Sequence, residues 1–190
     1  MQNMHTKDSY FMKYKKSMLN LGFSALELMF VLAVIAVAMV AVIKTMGSNS
    51  DKVNASNMIT DVSAITQNIK SAYISSSSAY NNLSNSVAID LKVIPNNLVI
   101  NGSNIKNQFP GGEVVIEADS SADFFTVTYT KVPSAVCMMV ITQMGGASFQ
   151  SIKVDGTVVY DAINNIPLKV EEVGAACKNN NQTSIEFAAS

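Results

Sequence analysis

The sequence predicts an α+β protein in which a long amino-terminal α-helix, apolar in its first half, packs on the antiparallel β-sheet of a globular head. Two observations predict the helix: an unbroken apolar run is followed by an amphipathic stretch, and no proline occurs before Pro95. A third predicts the sheet, since short alternating segments separated by turn residues fill the second half of the chain. At 190 residues the chain suits one domain with an appendage.

The composition argues against several function classes. All 13 basic residues are lysines and the net charge is −1, so the chain lacks the basic footprint of a nucleic-acid-binding protein. The one histidine, His5, lies near the start, which leaves the body of the chain without the usual general base or zinc ligand. No phosphate-binding loop, dinucleotide-binding loop or hydrolase motif is present. We therefore expect no enzyme, no catalytic residue, no cofactor and no metal site.

The first element of the chain is a basic segment followed by an apolar one. Residues 1–22 carry four lysines against one aspartate, and residues 28–43 are all uncharged and apolar. Counted from Phe23, with only Ser24 and Glu27 interrupting, the apolar segment makes about 30 Å of helix, enough to cross a bilayer. The basic flank is then expected to remain in the cytoplasm.

Three ordinary interpretations compete for this segment. A plain transmembrane anchor leaves Glu27 costing about 2–3 kcal/mol if it lies deep in hydrocarbon. A cleaved secretory signal finds a small-x-small site at Ala36-Val37-Ala38, but the cut would expose an apolar new terminus at Met39. A buried core helix does not suit a run without a polar face in so small a chain.

The sequence Gly22-Phe23-Ser24-Ala25-Leu26-Glu27 resembles the processing site of prepilins in the type IV pilin superfamily. The resemblance implies that a leader, residues 1–22, is removed between Gly22 and Phe23, and that Phe23 is then N-methylated. It implies a transmembrane and filament-core helix over residues 23–50 and a pilin head over residues 51–190. The length of the leader is similar to that of the type IVb subgroup.

The chemistry of this site gives Glu27 a role in subunit registry. Cleavage after Gly22 creates an α-amino cation at the tip of an apolar helix, and a cation taken from water needs a partner. The carboxylate of Glu27 lies about one helical turn away, and a neighbouring subunit staggered along the axis can present it. Pairing between Phe23 and Glu27 of different subunits therefore favours one stagger.

After residue 50 the pattern becomes amphipathic. One apolar stripe recurs at helical spacing, with polar residues opposite, and it predicts one helix over about residues 24–75 with a soft point at Gly47. The stripe is Ala55, Ile59, Val62, Ile65, Ile69 and Ala72 or Tyr73, and the opposite face is Asp51, Lys52, Asp61, Gln67 and Lys70. The polar run from Ser75 to Ser86 predicts a long loop, which is either a simple linker or, by resemblance to pilins, a filament-surface segment.

The head is predicted from alternation and turn signals. Strands are expected over residues 113–118, 124–132, 149–154, 157–160 and 184–187, with a turn at Asp155-Gly156. Two short helices are expected, one behind Pro133-Ser134 and one from Pro167. Asn107-Gln108-Phe109-Pro110-Gly111-Gly112 is similar to a permuted form of a type IVb pilin turn.

The two cysteines, Cys137 and Cys177, are expected to form one disulfide in an oxidising compartment. The alternative, two free buried thiols in a cytosolic protein, conflicts with the export signal. In type IVb pilins a disulfide encloses the carboxy-terminal region, and Ala175-Ala176-Cys177-Lys178-Asn179 is similar to their closing segment.

The resemblance implies a structural subunit of a type IVb pilus. It would be held in the bacterial inner membrane as a prepilin and then assembled into an extracellular filament for adhesion, aggregation or cell contact. The implied partners are further copies of the chain, a prepilin peptidase, an inner-membrane assembly platform with its ATPase motor, and a host or recipient-cell receptor. The alternatives are a minor pilin, a type II secretion pseudopilin, and a membrane-anchored binding domain that does not polymerise.

Overall fold

The computed structural model describes residues 25–74, 79–121, 123–145, 148–178 and 182–190. The elements in chain order are α1 (Ala25–Tyr73), α2 (Asn85–Asp90), β1 (Val99–Asn101), β2 (Asn104–Lys106), β3 (Glu113–Ala118), β4 (Phe125–Pro133), α3 (Ser134–Met144), β5 (Ser151–Val154), β6 (Thr157–Asp161), α4 (Val170–Lys178) and β7 (Gln182–Ala189). The chain divides into two units, Met1–Ile43 and Lys44–Ser190. The α+β class is confirmed.

The sheet has seven strands in the order β1-β2-β3-β4-β7-β5-β6. Every pairing is antiparallel, and the carboxy-terminal strand β7 lies between β4 and β5. Side chains alternate along β4, where Phe125, Val127 and Tyr129 are buried as predicted. The predicted antiparallel sheet is therefore confirmed, with one face turned toward the core.

The second half of α1 supplies one wall of that core. Its buried apolar stripe consists of Ala55, Met58, Val62, Ile65 and Ile69. Ile59 and Tyr73, both predicted on the stripe, are half-buried and pack against this core, and Ala72, the alternative to Tyr73, is exposed. Met58, which was not predicted on the stripe, is fully buried. Asp61, predicted on the polar face, is also buried, because it lies three residues after Met58 and four before Ile65.

The first half of α1 differs in its surroundings. Large apolar side chains near its start are exposed, namely Leu28, Met29, Phe30, Val31, Leu32 and Ile35, with exposed fractions from 42% to 74%. Counted over the residues that the structure describes, no helix is both long and apolar enough to cross a membrane.

The segment that connects α1 to β3 is more ordered than the predicted polar loop. It contains α2, whose amino-terminal cap Ser84 accepts a hydrogen bond from the backbone N–H of Val87. It also contains the β1–β2 hairpin, which the sequence patterns did not predict. Buried apolar side chains fasten the segment to the head at Leu83, Ala88, Val93, Ile94 and Leu98.

Candidate functional site

Of the residues predicted to direct processing and assembly, the structure describes only the backbone of Glu27. Gly22 and Phe23 lie outside the described residues. Glu27 is the third residue of α1, but its side chain is outside the described part of the molecule. The cleavage site, the N-methylated residue and the registry residue therefore stay predictions.

The predicted disulfide is present between Cys137 of α3 and Cys177 of α4. The two Cα atoms are 5.8 Å apart, and both cysteines are fully buried. On α3 the buried neighbours are Val136, Val140 and Ile141, and on α4 they are Val173 and Ala176. The bridge therefore joins the apolar faces of two helices that both pack on the head.

The segment closed by the disulfide contains the β5–β6 hairpin, whose turn is the predicted Asp155-Gly156 pair. Both residues have positive φ, 47° and 79°, which suits the tight turn of a two-residue hairpin. The Asp155 carboxylate accepts a 2.7 Å hydrogen bond from the backbone N–H of Ser184 on β7. The hairpin therefore lies within the segment that the disulfide closes, and its turn is hydrogen-bonded to β7.

The turn between β2 and β3 is organised by the side chain of Asn107. Its Nδ2 donates to the carbonyls of Glu113, at 3.2 Å, and Thr130, at 2.9 Å, while its Oδ1 accepts from the Phe109 N–H at 2.9 Å. Gly112 lies against this amide, so that a Cβ there would collide with Asn107 Oδ1 and lie 2.7 Å from the Thr130 carbonyl. The side chain of Asn107 therefore holds this turn through three hydrogen bonds.

Asn85 fastens the connecting segment to the sheet. Its Nδ2 donates to the Val114 carbonyl at 3.0 Å, and its Oδ1 accepts from the Ile116 N–H at 2.7 Å. One side-chain amide thus bonds β3 in the way a neighbouring strand would, beyond the point where β2 ends its pairing.

A cleft of about 230 Å³ lies where α1 meets the loops before β1 and β3. It is lined by Asn57, Asp61, Asn97, Leu98, Val99, Lys106, Asn107 and Gln108. Only 3% of Asp61 is exposed, and its Oδ1 accepts a 2.8 Å hydrogen bond from Asn97 Nδ2. Burial raises the pKa of the Asp61 carboxyl, and the Asn97 bond partly opposes that rise.

A second cleft, of about 370 Å³, lies between α1 and the segment before β5 and is lined mostly by hydroxyl and amide side chains with Lys70. Within the described ranges no group of three or more His, Cys, Asp or Glu residues is placed to hold a metal ion.

Sequence reasoning did not single out Asn85, Asn97 or the burial of Asp61. For Asp61 a signal was present, since its spacing from Met58 and Ile65 places it on the buried face. For the two asparagines the partners lie far along the chain, 36 residues away for Asn97 and 31 for one bond of Asn85. No local pattern encodes such contacts.

The head is a helix packed on an antiparallel sheet, with a disulfide-closed region before the last strand. A match to a protein family shows that this head is pilin-related. The chain belongs to the family described as PilS N terminal, whose model matches residues 52–190. The matched range covers the head and leaves out the Gly22–Glu27 pattern. A search of curated proteins found no match to the chain.

Proposed function

We propose that this protein is the structural subunit of a type IVb pilus, assembled from an inner-membrane prepilin into an extracellular filament. The pilin-related family of the head supports a pilus role, and the Gly22–Glu27 pattern supports the finer assignment to a processed, polymerising subunit. The subunit would catalyse nothing. A peptidase would cut the leader, and an assembly platform with its ATPase motor would extrude the filament.

The observation that carries the proposal is the exposed apolar surface at the start of α1. Phe30 and Met29 are 72% and 74% exposed in the isolated chain, and the other large apolar residues described there are 42% to 57% exposed. Contiguous apolar surface of this kind marks a contact with lipid or with another protein. In the proposed cycle it contacts lipid in the prepilin and the same helix of other subunits in the filament.

Transfer from lipid to a helical core exchanges one apolar environment for another. The hydrophobic contribution to assembly is then small, and close packing with specific polar contacts must select the arrangement. The proposed contact is an ion pair between the α-amine of Phe23 and the carboxylate of Glu27 on a neighbouring subunit. An unpaired carboxylate in that core is costly, so the pair favours one stagger over others.

Mass spectrometry of the amino terminus of the surface protein tests the processing step. We expect filaments sheared from cells to yield a chain that begins with N-methylated Phe23. A chain that begins at Met1 would indicate an uncleaved anchor, and one that begins at Met39 would indicate secretory cleavage. Either result would overturn the proposal.

Replacement of Glu27 by valine tests the assembly step. We expect Glu27→Val to be inserted and cleaved normally. Cells that make this variant should lose most of their surface filaments, because the amine of a neighbouring subunit loses its partner. Electron microscopy of sheared fibres and immunoblots of processed subunit give the two readouts. Glu27→Asp is the matched control, since it keeps the charge and should retain more filaments than the valine variant. Normal filaments from Glu27→Val would remove the registry role.

A further inference from the structure

The turn of the β1–β2 hairpin places an asparagine directly before a glycine. Asn101 pairs with Asn104, so Gly102 and Ser103 alone form the turn. Gly102 has a φ of 62°, a conformation that glycine adopts without strain and that suits the first position of a tight hairpin turn. The fold therefore holds the Asn101-Gly102 pair at the end of β1.

The two groups that can react with each other in this pair are exposed and unhindered. Asn101 and Gly102 both lie on the surface. Within the described part of the chain, the side chain of Asn101 has no hydrogen-bond partner and the backbone N–H of Gly102 donates no hydrogen bond. A Cβ at Gly102 would meet no atom within 4 Å. The described part of the fold thus leaves the backbone nitrogen of Gly102 open to approach the side chain that precedes it.

An asparagine followed by glycine can close into a ring without an enzyme. The backbone nitrogen of Gly102 attacks Cγ of Asn101 and gives up its proton, and the side-chain nitrogen leaves as ammonia, so that a succinimide forms. Water then opens the ring. Cleavage of the bond to Cγ gives aspartate, and cleavage of the bond to the backbone carbonyl carbon gives isoaspartate, whose main chain is longer by one carbon. A side chain on the attacking residue would hinder the first step, and glycine has none.

Other candidate positions in the chain lack this combination. Asn85 and Asn97 use their amides in hydrogen bonds to β3 and to Asp61, and neither precedes a glycine. The second hairpin turn, Asp155-Gly156, could form the same ring, but the Asp155 carboxylate accepts a 2.7 Å hydrogen bond from the Ser184 N–H. The contrast between the two turns singles out Asn101.

We propose that Asn101 is a site of spontaneous deamidation, at which the folded chain is converted through a succinimide with Gly102 to aspartate and isoaspartate. Asparagine is among the thermolabile residues, and the reaction needs only water, so the extent of conversion records the age of each molecule. The site does not depend on the chain forming filaments.

The conversion would alter one edge of the sheet. β1 is the terminal strand, and its Val99 and Ile100 are 63% and 45% exposed. Isoaspartate lengthens the main chain at the pair of Asn101 with Asn104, so the pairs behind it lose their register. Aspartate keeps the register and adds a negative charge at the edge strand.

The test follows the folded full chain in detergent during storage in warm, mildly alkaline buffer, where the attacking nitrogen loses its proton more readily. Trypsin digestion in mildly acidic buffer releases residues 93–106 between Lys92 and Lys106. Tandem mass spectrometry distinguishes acid from amide at each asparagine, and a methyltransferase that labels only isoaspartate identifies the second product. We expect Asn101 to lose its amide and give both products, while Asn97 in the same peptide keeps its amide.

Two variants show whether the residue itself carries the reaction. Asn101→Gln keeps an amide at this place but would have to close a larger ring, which forms more slowly, so it should stay unmodified over the same period. Asn104→Gln is the matched control, because it makes the same exchange at the facing residue, and it should leave the conversion of Asn101 unchanged.

Two results would overturn the site. One is an Asn101 that keeps its amide in the folded chain, and loss of the amide only in urea would then show that the fold protects it. The other is equal conversion of Asn97 and Asn101, which would show that the structure selects neither.

Hydrogen exchange measures the effect on the edge of the sheet. The backbone amides of β1 should exchange faster in the stored, converted chain than in the fresh chain, and those of β3 and β4 should not change. Asn101→Gln stored for the same time is the control and should exchange as the fresh chain does. Equal exchange of β1 in fresh and converted chains would contradict the effect on the edge.

Discussion

The two halves of α1 belong to one helix but meet opposite conditions. In the second half the apolar residues form a stripe, and Met58, Val62 and Ile65 are fully buried on the sheet of the same chain. In the first half the described apolar residues lie all around the helix, and Phe30 is 72% exposed. The apolar side chains of the second half are buried within the chain, while the described ones of the first half are exposed.

This difference separates two kinds of information in the sequence. The second half, the sheet and the disulfide specify a fold that one chain completes alone. The first half, with Gly22, Phe23 and Glu27, would specify what the chain does with other molecules. Substitutions in the first region should therefore change processing and assembly without affecting the melting of the head, and substitutions in the second should do the reverse.

Gly22→Arg should have the largest effect on filament formation. The substitution lies before α1 and should leave the stability of the head unchanged. A long charged side chain at the residue before the cut should prevent entry into the peptidase site, so uncut protein should accumulate in membranes and surface filaments should disappear. Immunoblotting for the longer form and electron microscopy provide the measurements.

The control for this variant is Asn20→Arg, which adds the same side chain two residues earlier and leaves Gly22 in place. It should be processed. Continued cleavage of Gly22→Arg between residues 22 and 23 would contradict the site, and a changed melting temperature of the head would weaken the separation of the two regions.

Most of the fold could be predicted from the sequence because its elements are encoded locally. The alternation of Phe125, Val127 and Tyr129 predicted β4 and its buried face, and the Asp155-Gly156 pair predicted the β5–β6 turn. The stripe of α1 was predicted except near Met58, since methionine and isoleucine at adjacent positions fit the same pattern about equally well.

What could not be predicted depends on contacts between distant residues. Helix α2 and the β1–β2 hairpin lie in a segment rich in asparagine and serine, whose composition is typical of loops. They are ordered by apolar anchors such as Val93 and by amides such as Asn68, which donates to the Val93 carbonyl at 3.0 Å. The hydrogen bond between Asn97 and Asp61 is hidden for the same reason, since the two residues lie 36 positions apart along the chain.

Loss of the disulfide should have the next largest effect, a lower free energy of unfolding of the head. In the chain-entropy model a bridge spanning 40 residues contributes about 4 kcal/mol, so Cys137→Ser should lower the free energy of unfolding by up to that amount. Thermal or denaturant unfolding of the full chain in detergent measures it, and cleavage of the leader should be unaffected.

The paired variant Cys137→Ser/Cys177→Ser is the control for the disulfide. If the crosslink is the source of stability, the double variant should lose about as much as either single variant, because one substitution already removes the bridge. Equal stability of wild type and Cys137→Ser would show that the packing of α3 on α4 suffices without it.

Gly112→Ala should have the smallest effect of the series on the free energy of unfolding. It tests the turn between β2 and β3, where Gly112 lies against Asn107. The added Cβ would collide with Asn107 Oδ1 and lie 2.7 Å from the Thr130 carbonyl, so the turn must shift or lose a bond of Asn107. Overpacking of this kind costs about 1–3 kcal/mol. Gly174→Ala is the matched control, because its Cβ would meet only Met138 Cε at 3.7 Å, and in α4 alanine should be neutral or stabilising by up to about 1 kcal/mol. Equal unfolding free energies for the two variants would show that the turn yields freely and that Asn107 does not hold it.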